Sequence, residues 1–306
     1  MNNDKYVQAT KIAVLDIGGT SIKSGIFKNG CLSEVKETDT FASFGGNYVM
    51  NRAKEILKSY GDFDGIGIST AGQVDFANGK IRYANKNIPG YTGMPIKEIL
   101  ETEFHVPVVV ENDVNAAAIG EAHYGAGIGF HDFICLTYGT GVGGAIVLNG
   151  DIYRGSTFSA GEMGATIIHP EDRDARKDMY SGCYEKYAST SALVHKVSSI
   201  DNSITNGRDI FKALGRLEIK AAVDEWIQEI SFGLISFIHI LNPSCVILGG
   251  GVMEQEYILD HVKENVMNNI MESYRNVLIT KTALGNKAGM FGAASLLLSK
   301  GLELSQ

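Results

Sequence analysis

The chain has 306 residues, 44% hydrophobic and 20% charged, which suits a globular protein long enough for two lobes and two cores. A formal charge of −8 argues against a nucleic-acid backbone as main partner, because such binding needs clustered Lys and Arg; a small ligand is the better starting expectation. Cys31, Cys135, Cys183 and Cys245 form no CxxC pair, which argues against a disulfide framework and a zinc knuckle and points to the cytoplasm.

Met1 to Thr10 is polar and lacks the basic-then-apolar order of a signal peptide, so no export is expected. From Ile12 the chain reads as an apolar strand ending at Asp16-Ile17, a turn at Gly18-Gly19-Thr20, a second strand, and a tight turn at Asn29-Gly30. A helix is expected over 48–60, a strand over 65–69, a loop over 69–75, a helix over 96–104 and a strand over 106–111. A helix from Val114 to Tyr124 then opens beside Asn112-Asp113.

The opening pattern returns from Phe133 to Asn149-Gly150, with Gly139-Thr140-Gly141 and Gly143 in the turn region. Residues 170–178 are charged and read as a surface loop. Helical periodicity over 219–241 stops at Asn242-Pro243, and its apolar part is too short to span a bilayer, so a core helix is expected and no membrane. Cys245 to Gly251 reads as a buried strand running into a glycine turn. The last helix, 288–300, carries Gly289, Gly292, Ala293 and Ala294, small residues that allow close packing.

The internal repeat is the most informative feature. Two hairpins, each with a glycine turn, predict two related lobes whose bare backbone N–H groups approach an anion closely, and phosphate is the obvious one. Either turn alone could merely connect strands; the repetition, with Thr20 and Thr140 inside the turns, favours phosphate. Asp16 adds a carboxylate at a strand end, which suits a magnesium nucleotide, although such an Asp can also cap a turn. Glu111-Asn112-Asp113 ends a strand and opens a helix, at the strand edge where α/β proteins build sites. Taken alone the triplet reads first as a helix cap. Its functional reading has Asp113 take a proton from a substrate hydroxyl while Asn112 orients neighbouring hydroxyls. Glu162 and Glu185, taken alone, read as ordinary surface acids.

Taken in order, these motifs resemble the ROK family of sugar kinases from Ile12 to the last helix. The resemblance implies an α/β, two-lobed actin-like ATPase (ribonuclease H-like) fold with duplicated lobes and an active-site cleft between them. The smaller lobe is expected as residues 1–113 plus the helix at about 288–306, the larger as residues 114–287. It further implies ATP and Mg²⁺, with Asp16 on the metal side and Gly18, Gly19, Thr20, Lys23, Gly139, Thr140, Gly141, Gly143, Gly250 and Gly251 around the nucleotide. Asp113 matches the catalytic base. Gly72, Asn87, Asn112, Glu162 and Glu185 match sugar contacts, and a homodimer is expected.

The departures bear on substrate. Many members carry His directly after Glu-x-Gly and a Cys-x-Cys-Gly-x-x-Gly-Cys zinc loop. Here Ala165 stands in place of that His, and only Cys183 remains, with Tyr180 and Ser181 near the other cysteine positions, so no zinc site is expected. His169 is expected to be a plain loop residue. A methyl group in place of an imidazole leaves room for a substituted anomeric oxygen, so the expected reaction is transfer of the γ-phosphoryl group of ATP to the 6-hydroxyl of a β-glucoside such as cellobiose. A glucokinase or N-acetylmannosamine kinase is the alternative. A ROK-type regulator would need an N-terminal winged helix-turn-helix, for which a strand beginning by Lys11 leaves no room. A glycosidase using Glu162 and Glu185 leaves the two phosphate hairpins without purpose, and an actin-like ATPase without a sugar leaves Asn112-Asp113 and both glutamates unexplained.

Overall fold

The computed structural model describes residues 10–85 and 87–300; the polar stretch 1–9 and residues 301–306 lie outside the described residues. Two compact units are present. The first comprises the chain up to Ile128, Arg154–Ala160 and the chain from Asn286; the second comprises Gly129–Tyr153 and Gly161–Gly285.

The first unit is built on β1 (Ile12–Ile17), β2 (Ser21–Lys28), β3 (Cys31–Asp39), α1 (Gly46–Lys58), β4 (Gly65–Thr70), the short pair β5 (Gln73–Asp75) and β6 (Lys80–Tyr83), α2 (Ile96–Phe104), β7 (Val108–Asn112) and α3 (Asp113–Tyr124), with the C-terminal helix Ala288–Lys300. Its sheet runs β3-β2-β1-β4-β7. β1, β4 and β7 are parallel, and β2 is antiparallel to both β1 and β3, so β3 runs the same way as β1. Side-chain alternation sorts β1 between two cores. Ala13, Leu15 and Ile17 pack with Val49, Met50, Leu57, Ile96 and Leu100 of α1 and α2. Ile12 and Val14 pack with Met290, Ala294 and Leu297 of the C-terminal helix.

The glycines inside β4 have a packing reason. A Cβ on Gly67 would stand 2.8 Å from the Ala293 backbone, and Gly292 leaves the same kind of room against the Ala116 carbonyl of α3, so the C-terminal helix lies directly on strand and helix backbone. The expected close packing of Gly289, Gly292, Ala293 and Ala294 is thereby met.

The second unit contains β8 (Phe133–Tyr138), β9 (Val142–Leu148), β10 (Asp151–Ile152), α4 (Tyr184–Ala188), α5 (Thr190–Ile200), α6 (Gly207–Lys212), α7 (Leu217–Leu241), β11 (Cys245–Gly249), α8 (Glu256–Asn269) and β12 (Leu278–Lys281). Its sheet order, β10-β9-β8-β11-β12, repeats the first sheet strand for strand. Both copies close their second turn with left-handed Asn-Gly pairs, Asn29 (φ 52°) with Gly30 (φ 77°) and Asn149 (φ 54°) with Gly150 (φ 83°), the geometry that a two-residue type I′ hairpin requires.

α7 buries Val223, Trp226, Ile230, Leu234 and Phe237 against Leu136 and Val246 of the sheet, as a core helix should. The indole of Trp226 donates to the Ser189 carbonyl at 3.0 Å, so its polar edge is satisfied inside the core. α7 ends on Asn242 in the left-handed conformation (φ 45°), just before Pro243. Among the described residues no helix is long and apolar enough to cross a membrane.

Candidate active site

Parallel β1, β4 and β7 bring their carboxyl ends to one edge of the first sheet, where the register sets Asp16 beside Ser69 and Thr70 beside Asn112. The Ser69 hydroxyl donates to Asp16 Oδ1 at 2.7 Å. Lys23, opposite Asp16 on β2, places Nζ 3.6 Å from Oδ2. A Cβ at Gly289 would come within 2.7 Å of Ser69 Oγ and 3.4 Å of Asp16 Oδ1, so the C-terminal helix begins directly over this carboxylate.

The turn glycines fall into two groups. At Gly250 (φ 106°) an added Cβ would run into the Tyr138 carbonyl, so the protein's own packing requires a glycine there, and at Gly18 it would stand in tight contact, 3.2 Å from the Ser21 carbonyl. At Gly19, Gly139 and Gly251 an added Cβ would meet nothing within 4 Å, and none of the three has a positive φ. Their bare backbone therefore faces open space, the arrangement that a closely approaching phosphate uses. Thr20 is exposed at the tip of its turn.

Asn112 is the helix cap. Its Oδ1 accepts from Val114 N at 3.0 Å and Asn115 N at 3.1 Å, while its Nδ2 donates to the Gly72 carbonyl at 3.0 Å and to Asp113 Oδ1 at 2.8 Å. Asp113 is the first residue of α3, and its Oδ1 also accepts from Val114 N at 3.0 Å. Desolvation by the surrounding protein, with the Asp16 carboxylate adding to it, pushes the Asp113 carboxyl up to about 7. Gly72 (φ 98°) is held by packing, because a Cβ there would stand 2.9 Å from the Tyr83 carbonyl. Asn87 is exposed in the turn after β6, its N–H donating to Asn85 Oδ1 at 3.1 Å.

Sequence reasoning passed over Arg154. The Glu111 side chain is 1% exposed, and Arg154 donates to its Oε2 through Nε at 2.8 Å and through Nη2 at 2.7 Å. Glu111 Oε1 accepts from Asn112 N at 2.9 Å and from Asn115 Nδ2 at 3.2 Å. The guanidinium also lies over the Phe76 ring, 3.9 Å from its centroid. A buried, compensated carboxylate thus underlies the backbone of Asn112 and Asp113. The only sequence signal was Glu111 itself, an acid at the end of an apolar strand.

In the second unit, Glu185 opens α4 and points at the β8–β9 turn: a Cβ on Gly141 would stand 2.6 Å from Glu185 Oε2. Partial burial raises the Glu185 carboxyl above its ordinary range. Gly161 and Gly164 press the 161–164 backbone onto Gly144 and Val142 of β9, which leaves Glu162 and Ala165 exposed beside the same hairpin. Gly143 stands opposite Thr137 inside the hairpin. A cavity of about 1,100 Å³ joins Gly139 and Thr140 to Gly251, walled by Val194 of α5 and Phe211 of α6 and edged by Asn206. The second glycine turn and the turn after β11 therefore share one cavity. Its apolar walls suit a flat heterocycle and its edges a phosphate chain. The contribution of α5 and α6 had no motif to reveal it.

Residues 12–300 match the model of the ROK family. The chain belongs to the ROK family. It is 40% identical over 92% of its length to an uncharacterized protein of Clostridium perfringens, covering 95% of that protein. It is 32% identical to a beta-glucoside kinase of Listeria monocytogenes, over 92% of this chain and 96% of that one. A ROK family glucokinase from Streptomyces griseus, solved in complex with glucose and AMPPNP, superposes with a TM-score of 0.81 at 29% identity over 94% of this chain and 98% of that one. The fold is the two-lobed actin-like ATPase fold.

The segment that carries the zinc loop in many ROK proteins is held here by side chains. Arg173 Nη1 donates to the carbonyls of Met179 and Ser181 and approaches Cys183 Sγ at 3.7 Å, while Ser181 Oγ accepts from Asp174 N at 2.8 Å. His169 is a loop residue whose side chain is held on both ring nitrogens. Its two ring nitrogens lie 2.8 Å from Glu171 and Glu229, its ring stacks on Tyr187 at 4.1 Å, and the carboxylates raise its pKa against the opposing effect of burial. It lies in a loop, as expected, but its side chain is engaged, and the partner Glu229 comes from α7, 60 residues away. Among the described residues no group of three or more His, Cys, Asp or Glu is placed to hold a metal. Metal analysis of purified protein is expected to find far less than one zinc per chain, with Tm unchanged by EDTA; one zinc per chain would overturn this.

Proposed function

We propose that this ROK protein is an ATP-dependent kinase that phosphorylates the 6-hydroxyl of a glucose-type sugar, with a β-glucoside such as cellobiose as its favoured acceptor. It is a phosphotransferase with an alcohol group as acceptor. Asp113 carries the reading, as a carboxyl whose pKa of about 7 lets it take a proton near neutral pH. Asp113 accepts the proton of the 6-hydroxyl as that oxygen bonds the γ-phosphorus and ADP leaves. Asn112 keeps the carboxylate oriented through its 2.8 Å bond to Oδ1.

Asp16 is the carboxylate that would hold Mg²⁺, and its oxygen chemistry fits that ion. Mg²⁺ bound with the nucleotide neutralises charge on the phosphates. Gly19 and Gly139 offer N–H groups to phosphate oxygens, Lys23 adds positive charge, and the cavity between Gly139 and Gly251 takes the adenosine. Glu162 and Glu185 are assigned to sugar hydroxyls.

Ala165 supports the β-glucoside acceptor: it is exposed, and the backbone packing of Gly164 on β9 fixes where its methyl group stands. The likeness to a beta-glucoside kinase agrees with it, and the likeness to a glucokinase bound to glucose favours free glucose as the second reading. An ATP-coupled assay is expected to give higher kcat/KM for cellobiose or methyl β-glucoside than for glucose. A strong preference for glucose, mannose or N-acetylmannosamine would replace the β-glucoside assignment.

A further inference from the structure

We propose that Phe41, Phe44 and Tyr48 form an aromatic platform that receives the second pyranose ring of a disaccharide acceptor, an inference that rests on the β-glucoside reading above. The three side chains are 46%, 69% and 38% exposed. They lie against one another, with ring centroids 5.0 Å apart for Phe44 and Tyr48, 6.3 Å for Phe41 and Phe44 and 6.4 Å for Phe41 and Tyr48. A lone exposed aromatic needs no explanation, but a contiguous exposed trio leaves apolar surface in water that a ligand would cover.

The platform belongs to the same unit as Asp16, Asn112 and Asp113 and follows the far edge strand of their sheet. β3 runs parallel to β1, so its carboxyl end, followed by Thr40 and Phe41, reaches the same sheet edge as Asp16, Ser69 and Asn112. Thr40 is fully buried and ties the loop to the first glycine turn, its N–H donating to the Thr20 carbonyl at 2.9 Å and its hydroxyl to the Gly18 carbonyl at 2.7 Å. On the other side, Gly46 N donates to the Pro89 carbonyl at 2.8 Å, in the segment that also carries Asn87.

The chain maintains this geometry at a cost. Phe41 sits in the left-handed region (φ 52°, ψ 45°), a conformation that disfavours a bulky residue. The occupant follows from chemistry: the C–H-rich face of a pyranose is flat and weakly apolar and packs on an aromatic face, whereas its hydroxyl rim stays in water. A monosaccharide bound by Asn112 and Asp113 has no second ring to use the platform.

The test compares Phe44→Ala and Tyr48→Ala with wild type on cellobiose, methyl β-glucoside and glucose. Both side chains are exposed, so the variants should fold, which their far-UV circular dichroism and Tm verify. The ratio of kcat/KM for cellobiose to that for methyl β-glucoside is expected to fall about tenfold, through KM rather than kcat. An unchanged ratio in an enzyme that turns over cellobiose overturns the platform alone. No cellobiose turnover in wild type overturns the platform together with the β-glucoside reading. A changed sedimentation coefficient with an unchanged ratio makes the patch a contact with a second copy, and overturns the platform likewise.

Discussion

Asp113→Asn is expected to lower kcat by about 10²–10⁴-fold while leaving the acceptor bound, because the amide keeps the shape and the Oδ1 acceptor but cannot take the proton. In wild type the base must be ionised, so kcat/KM should fall about tenfold per pH unit below about 7 and level off above it. The same shift fixes the sign of a stability effect. The folded carboxyl holds its proton up to about pH 7 whereas the unfolded chain releases it near 3.8, so the native state binds more protons between those values and stability declines as pH rises through that window. An asparagine does not ionise. Asp113→Asn should therefore show a higher Tm than wild type at pH 8 although it has lost turnover. Near-wild-type kcat would remove Asp113 from the mechanism, and a lower Tm at pH 8 would show that burial does not disfavour its charge.

Arg154→Ala is expected to destabilise the protein by about 3–5 kcal/mol in urea denaturation, because it strands the Glu111 carboxylate, whose side chain is 1% exposed, without its cation. The loss differs from that of a surface ion pair, which is worth about 0–1 kcal/mol. Removing both charges, as in Glu111→Gln with Arg154→Met, should recover much of the stability, and kcat with it, because the amide oxygen can still accept from the Asn112 backbone and the Asn115 side chain once the buried charge is gone. A loss below about 1 kcal/mol for Arg154→Ala would show that water reaches Glu111 and that the pair is not structural.

The physical interactions that were legible in the sequence were local ones. An Asn-Gly pair between two apolar runs demands positive φ at both positions, so the duplicated hairpins could be read without coordinates, whereas the shared strand order of the two sheets came from the fold. The run from Ile219 to Leu241 followed by Asn242-Pro243 is likewise a helix and its stop within one stretch of chain. Strand ends at Asp16 and Asn112 were legible because an apolar run breaks at a polar residue there.

What the tertiary structure decided depends on partners far apart in the chain. Arg154 and Glu111 are separated by 43 positions, Glu229 and His169 by 60, and no periodicity or spacing connects them. The cavity walled by Val194 and Phe211 needs α5 and α6 folded beside the second hairpin, and the sorting of glycines into those required by packing and those facing open space needs the neighbouring atoms. By itself the sequence determined the repeat, the strand-end carboxylates and a helix opening beside Asp113, since each follows from backbone preferences over a few residues. Burial, and the charges and hydrogen bonds gathered by folding, decided that Asn112 caps that helix while Asp113 titrates near neutrality, because desolvation exists only once the chain has closed around the group.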